Sequence, residues 1–302
     1  MGFSISSSTH LHMPSLLRSL WAWMDTAVNP AAIETEHRID WLRIIPFALM
    51  HLACVAVIWV GWSPAAVVTA VGLYLVRMFA ITGFYHRYFS HRTFQTSRVA
   101  QFVFAVIGAS ATQRGPLWWA AHHRKHHRFA DTAEDVHSPR EHGFWWAHMG
   151  WITSPVNFPT DFAQVRDLAR YPELKFLDRY DLFAPAALAL TLWLIGGAQL
   201  FVWGFLISTV VLFHGTCVIN SLAHTMGTRR YNTADDSRNS FVLALITLGE
   251  GWHNNHHRYP GAARQGFFWW ELDVTYYGLR LLEQVGVIHS LHPVPARVLA
   301  ER

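Results

Sequence analysis

The sequence predicts an all-α integral membrane protein: four transmembrane helices in two hairpins, with a cytosolic helical cap enclosing a di-metal site. Three observations lead there. Hydrophobic residues make up 52% of the chain and charged residues 15%, against about 25% charged in an ordinary soluble protein. The apolar residues gather into four long runs. The 20 histidines equal the acidic residues in number, and many of them cluster at the ends of those runs. This composition excludes disorder, which requires few apolar residues and much charge. The two cysteines, Cys54 and Cys217, each lie inside an apolar run, which excludes a disulfide scaffold and a four-cysteine zinc site. The net charge is +4, and lysine occurs only at Lys125 and Lys175, so no basic block points to nucleic acid.

A helix needs about 20 apolar residues to cross a hydrocarbon core of about 30 Å. The runs give spans over about 44–62, 64–85, 182–198 and 200–219, interrupted only by His51, Arg77 and His214. Short, uncharged connectors at Gly61–Pro64 and Gly196–Gln199 pair them into two hairpins. The segment between the hairpins, 86–181, carries 12 Lys and Arg, and the region after 219 carries most of the remainder. The positive-inside rule therefore puts both segments, and both termini, in the cytoplasm. The cap is then 86–181 with 220–302. Residues 1–41 form a separate cytosolic segment with a surface helix around Leu16–Met24, and 42–302 the functional domain. Met1–Pro30 lacks the charged and apolar regions of a cleavable signal. Val99–Ala111 is apolar but too short to span, and reads as a helix on the membrane face. The stretch holding Trp145, Trp146 and Trp151 reads as a second interfacial helix, broken by Pro155 and Pro159.

The histidines carry the chemistry. His86 and His91 stand at the cytoplasmic end of the second span. His123, His126 and His127 form an H-x-x-H-H cluster, and His253, His256 and His257 form another. Asn220 and His224 follow the fourth span. Positions i, i+3 and i+4 share one helical face, so each cluster aims three imidazoles in one direction. Chance would supply on the order of 0.1 such clusters per chain. Neutral imidazole is a ligand for iron, zinc and copper. Nine clustered histidines are too many for one ion and suit two, with four or five each. They lie beyond the ends of the spans, not at the midplane where transport sites sit, which argues against a metal transporter or sensor. Iron fits a nitrogen-rich redox pair, whereas zinc has no redox chemistry. Isolated histidines such as His51 and His214 read as packed or hydrogen-bonded helix residues.

The strings His86-Arg-Tyr-Phe-Ser-His91, His123-Arg-Lys-His126-His127, Asn220-Ser-Leu-Ala-His224 and Gly249-Glu-Gly-Trp-His253-Asn-Asn-His256-His257 resemble the histidine boxes of membrane fatty acyl desaturases of the Δ9 stearoyl-CoA type. The resemblance runs from Val67 to Gly261 and includes Asp135–Arg140 and Gly143-Phe144 through Gly150-Trp151. It implies a di-iron centre under a cytosolic cap that uses O2 and two electrons to desaturate an acyl chain. The nine histidines would be the ligands, with Asn220 holding a water on one iron. Gln113, Trp119 and Thr216 would stand at the kink of an acyl tunnel, and Tyr74 and Met78 at its closed end. The Arg-Asp pair that the animal enzymes use for CoA is here Ala121 and His122, which leaves fatty acyl-CoA and acyl-lipid both open as substrates. No cytochrome b5 signature follows Tyr259, so a separate donor (ferredoxin, rubredoxin or cytochrome b5-like) would supply electrons, in a bacterial inner membrane. A di-iron hydroxylase or terminal-alkene-forming oxidase shares the first hydrogen abstraction and stays an alternative. Ligand histidines need acceptors on their other nitrogen, and Asp131, Asp135, Asp236 and Glu250 are the nearby candidates.

Overall fold

The computed structural model describes residues 24–26 and 38–301. The helix expected around Leu16–Met24 lies, but for Met24, outside them. The chain enters α1 (Trp41–Ala53), tightens through a 3-10 turn at Cys54–Ala56 and continues as α2 (Val57–Val60). Gly61 then takes a positive φ of 63° and turns the chain, a conformation that costs a residue with a Cβ about 1 kcal/mol or more. Ser63 caps α3 (Pro64–Phe79): its hydroxyl accepts the Ala66 N–H at 3.2 Å, and Pro64 occupies the first helical position, where its missing N–H costs nothing.

Beyond α3 the helix does not stop at Tyr85 but widens into an i→i+5 helix over Ala80–Ser90. The whole rod, Pro64–Ser90, is 27 residues and apolar enough to cross a membrane. It carries polar residues at its end because they are satisfied there. Arg87 is fully buried, donating to Glu250 at 2.9 Å, Asp273 at 2.9 Å and the Ala263 carbonyl at 2.8 Å. Arg77, inside the rod, is likewise buried. Its guanidinium donates to Thr209 and Ser208 hydroxyls at 2.7 Å each and to the Ser110 carbonyl at 3.1 Å, the pairing an arginine needs away from water.

After the rod come β1 (Gln95–Thr96) and α4 (Arg98–Ala109), a helix with Val99, Phe102 and Val103 exposed. Next come α5 (Pro116–Phe129), α6 (Pro139–His142) and α7 (Pro172–Arg179). Between α6 and α7, the tryptophan-rich stretch forms a short wide helix at Trp146–Gly150 and 3-10 turns at Trp151–Thr153 and Pro155–Asn157. A long apolar segment follows, Phe183–Ser221, in which α8 (Phe183–Leu200) leads through an i→i+5 helix at Phe201–Ile207 to α9 (Ser208–Ser221). Gly196 and Gly197 break it with non-helical angles. A Cβ on Gly204 would stand 3.2 Å from Leu192. Residues this far apart in sequence would lie about 18 Å apart on a straight helix, so the two halves fold back as a hairpin.

The remaining cap holds α10 (Phe241–Ile246), α11 (His253–Arg258), α12 (Val274–Gln284) and α13 (Ala296–Ala300). A two-residue strand β2 (Ile288–His289) pairs antiparallel with β1, Gln95 opposite His289, a small departure from all-α that ties the end of the cap to its start. The main core runs from Met78 and Ile81 at the membrane side through Phe84, Phe89 and Phe94 to Leu168 and Leu174 in the cap.

Candidate metal centre

The widened helix solves a spacing problem. In an α-helix, residues five apart point about 140° away from each other. In the i→i+5 helix they stack one turn apart, so the His86 and His91 rings come within 5.0 Å. α5 is started by a foreign residue: buried Asp178 of α7 accepts the Trp118 N–H at 2.7 Å and the Thr160 hydroxyl at 2.6 Å. A carboxylate there satisfies an orphan donor of the helix that carries His123, His126 and His127. Burial pushes the Asp178 carboxyl up to about 6.

The nine expected histidines are brought together in two groups. His86, His91, His123, His127 and His256 form one, and His126, His224, His253 and His257 the other, with ligand atoms within 4.8 Å of one another in each. The H-x-x-H-H clusters therefore do not each aim in a single direction. Each is split: α5 gives two imidazoles to the first group and one to the second, and α11 gives one and two.

Four histidines rest on carboxylates. His126 Nδ1 lies 2.9 Å from Asp135, His224 Nδ1 2.7 Å from Asp131 and His257 Nδ1 2.8 Å from Asp235. His86 Nδ1 contacts Glu250, whose carboxylate also binds Arg87. Of the acids expected in this role, Asp236 is a correction: its side chain pairs with Arg140 and Arg229, while its N–H donates to Asp131 at 2.8 Å. Asp235 takes its place, because the turn holding it through Ser237 N–H at 2.9 Å points it at α11. Nothing in the Asp235-Asp236 pair tells the two apart in sequence. Arg87 and Asp273 were likewise silent in sequence.

The electrostatics favour the neutral imidazole at six of the nine, whereas Asp135, against burial, raises His126. Burial, and then the neighbouring histidines, hold His91, His123, His127, His253 and His256 well below the ordinary imidazole range. Burial takes His257 down to about 4 against the pull of Asp235. At Asp131, the hydrogen bond from His224 overcomes burial and lowers the carboxyl to about 2. A neutral imidazole has one N–H. Where a carboxylate takes it at Nδ1, Nε2 presents a lone pair. His86 Nε2 faces His256 Nε2 at 3.0 Å, His224 Nε2 faces His253 Nε2 at 3.0 Å, and His256 Nε2 also faces His127 Nε2 at 2.8 Å. His257 Nε2 is buried with no hydrogen-bond partner. Lone pairs converging in a dry site call for cations, and the donor set fits a pair of metal ions.

Two chambers meet this site. One, of about 40 Å³, lies between the imidazoles and the rod and is lined by Met78, Ile81, Thr82, Trp119, Thr216 and Asn220 among others. The second, of about 140 Å³, shares Trp119, His123, Thr216 and Asn220 with it and extends past Gln113 toward Phe47. Gln113 donates to the Thr216 hydroxyl at 2.9 Å, with Trp119 stacked on His123 beside them. Thr112 and Arg114 flank Gln113 with φ of 61° and 70°, strain of the kind kept at functional sites. Met78 lines the inner chamber. Tyr74 does not: it packs behind Met78, near Gly215, its hydroxyl on the Ile246 carbonyl. Ala121 and His122 both face inward, His122 toward the Asn157 carbonyl at 3.1 Å.

His51 and His214 are hydrogen-bonded, as expected, and to each other at 3.0 Å. His214 continues to His148 at 3.0 Å, and His148 to the Ser221 hydroxyl at 2.9 Å.

The fatty acid desaturase family profile matches residues 59–280. An sn-2 palmitoyl-lipid 9-desaturase of Nostoc sp. (strain 36) is 36% identical over 282 residues, covering 88% of this chain and 96% of its own. An sn-1 stearoyl-lipid 9-desaturase of Anabaena variabilis is 37% identical over 259 residues, 85% of this chain and 95% of its own. An acyl-CoA 5-desaturase of Anemone leveillei is 36% identical over 271 residues, 88% and 83%. With most of its length shared at this identity, the chain belongs to the fatty acid desaturase family and is an oxidoreductase.

Proposed function

We propose that this chain desaturates a long-chain acyl group at the Δ9 position, using O2 and two electrons at a di-iron centre held by the nine grouped histidines. The observation that carries the reading is the convergence of nine buried and half-buried imidazoles on two points beside a pair of adjoining chambers. Two bound iron ions supply the oxygen activation and hydrogen abstraction that an unactivated methylene demands. The protein's own residues do the rest. Asp131, Asp135, Asp235 and Glu250 orient the imidazoles through Nδ1. Asn220, lining both chambers, holds a water. Gln113 and Thr216 form the polar elbow around which the acyl chain bends, presenting two adjacent carbons to the site. Trp119 and the apolar walls exclude water. Met78 closes the far end, with Tyr74 supporting it from behind.

The architecture completing this reading is four spans: the rod from 44 to 60, the rod from 64, and the two arms of the glycine-broken hairpin. Residues 42–302 then form the desaturase domain, and both termini lie on the cytosolic face of a bacterial inner membrane. Electrons come from a separate carrier. The test is expression in a desaturase-deficient host, with the double bond located by derivatisation and mass spectrometry. A new Δ9 unsaturated acid is expected. A hydroxylated or terminal-alkene product, or metal exchange without oxygen consumption, would replace this reading.

A further inference from the structure

A third cavity, of about 620 Å³, lies outside the two chambers, between α1 and α8. The i→i+5 helix at Phe201–Ile207 forms its back through Phe201, Phe205 and Leu206, and Met50, Ala186 and Ala189 line its sides. Along the two helices its walls are apolar. Its polar side chains are Thr26, Thr112, Arg114, Thr153 and Asp181, which stand at its cytosolic end. Arg114 Nε pairs with Asp181 at 2.8 Å, and Nη2 donates to the Phe158 carbonyl at 3.0 Å. The groove is continuous with the interior: it shares Phe47, Thr112, Arg114 and Ile152 with the second chamber, which in turn shares Trp119, His123, Thr216 and Asn220 with the first.

From this continuity we infer that a diacyl glycerolipid of the bilayer enters sideways between α1 and α8. One chain threads past Arg114 and Gln113 to the imidazoles, and the other stays in the groove. The inference rests on the desaturase reading and specifies its substrate class. The volumes favour two chains. The groove alone is within the range of about 300–1,000 Å³ typical of ligand sites, and it lies outside the path that the reacting chain takes. A single-chain thioester arriving from water would have no use for an apolar slot running along two membrane helices. The polar residues also fall where a lipid has its ester groups: the Arg114–Asp181 pair sits at the junction of groove and chamber, and its guanidinium donates to ester oxygens there. Because the pair is neutral overall, the site reads the glycerol ester region more than headgroup charge.

The test needs no turnover. The purified full chain is reconstituted into phosphatidylcholine vesicles containing a phosphatidylcholine with a diazirine near one chain end. After irradiation, labelled peptides are mapped by mass spectrometry. Labelling of 112–119 and 213–217 is expected in the parent. It should fall at least about tenfold in Ala186→Trp and Ala189→Trp, which fill the groove far from the metal site, a difference of about 1.4 kcal/mol in occupancy. Leu190→Trp, on the same helix but 59% exposed and outside the groove, should label like the parent and controls for folding. A diazirine acyl-CoA added from water is the competing arm. If it labels the inner chamber in all variants while the lipid does not, or if the tryptophans leave lipid labelling unchanged, lateral entry is wrong. Parallel product analysis separates the two ideas: a parent that makes double bonds but labels only on its outer surface loses the route and keeps the activity.

Discussion

Met78→Ala tests the closed end of the inner chamber. Met78 is fully buried, and its Cε lies 3.2 Å from where a Cβ on Gly215 would stand. The chamber above it is small, about 40 Å³, so on the proposed function the thioether would limit how far a chain extends past the imidazoles. Truncation in an ordinary packed core would cost about 2–5 kcal/mol because the cavity stays empty. Here a longer acyl chain fills it. Two further methylenes contribute about 1.6 kcal/mol, or roughly fifteenfold in kcat/KM relative to the parent's best chain, at about 0.8 kcal/mol each. Gly215→Ala is the reciprocal change. Its Cβ would meet the Tyr74 hydroxyl at 3.1 Å and Met78 Cε at 3.2 Å, and methionine, being flexible, yields into the chamber. Preference should then move to shorter chains. The assay is competition among C14 to C20 acyl substrates in membranes, read as product ratios, with thermal unfolding measured alongside. If Met78→Ala loses stability and both variants keep the parent's chain-length profile, Met78 is packing and not a tunnel floor.

Three other outcomes are expected. Asp235→Asn should weaken metal retention about 10–100-fold under chelator challenge, whereas Asp236→Asn should leave it near the parent value; equal effects would contradict the orientation role of Asp235. His126→Ala and His256→Ala should each abolish turnover and lower the metal content from about two per chain, while insertion, set by hydropathy, is retained; activity in either variant removes that residue from the ligand set. Asp178 gives a pH signature. Its folded pKa, about 6, lies above the 3.8 of an unperturbed aspartate, so its contribution is fully present below about pH 4 and is lost as pH rises through 6. The change is about 3 kcal/mol, from two pKa units at 1.36 kcal/mol each. Relative to the parent, Asp178→Asn should therefore gain stability between pH 4 and 7, and a pH-independent difference in unfolding temperature would show that Asp178 does not titrate there.

What was legible in the sequence was whatever depends on composition and local spacing. Runs of apolar residues at 44–62, 64–85, 182–198 and 200–219 marked the apolar helices found at Ile44–Val60, Pro64–Ser90 and Phe183–Ser221, because hydropathy needs no tertiary context. The nine histidines were legible for the same reason: imidazoles in short repeats are rare by chance. Their carboxylate partners were only partly so. Asp131 and Asp135 lie close after α5 in sequence. Glu250 shares a string with His253 but serves His86, across 164 residues. Asp235 and Asp236 differ by one position in a turn whose hydrogen bonds decide which of them points inward, and no propensity distinguishes them. Arg87 looked like one more arginine at the cytosolic end of a span until Glu250 and Asp273 were seen to enclose it.

Helical periodicity at its ideal value misleads twice at this site. At 3.6 residues per turn, His86 and His91 would fall on different faces, while positions i, i+3 and i+4 fall on one. The structure departs from both, for physical reasons. The segment carrying His86 and His91 is anchored by Arg87 to Glu250 and Asp273 and hydrogen-bonds as an i→i+5 helix, with the His91 N–H donating to the His86 carbonyl at 3.3 Å. The wider turn is what lets a five-residue spacing deliver both rings to one group. In α5 and α11 the periodicity is ordinary, but neighbouring residues still diverge by about 100°. With two targets a few ångströms apart, His126 and His127 reach different groups, as do His256 and His257. On the proposed di-metal reading, the doublet at the end of each H-x-x-H-H would mark a paired site: an ion on one helical face would use the i and i+4 positions, and the extra adjacent histidine would serve a second ion beside it.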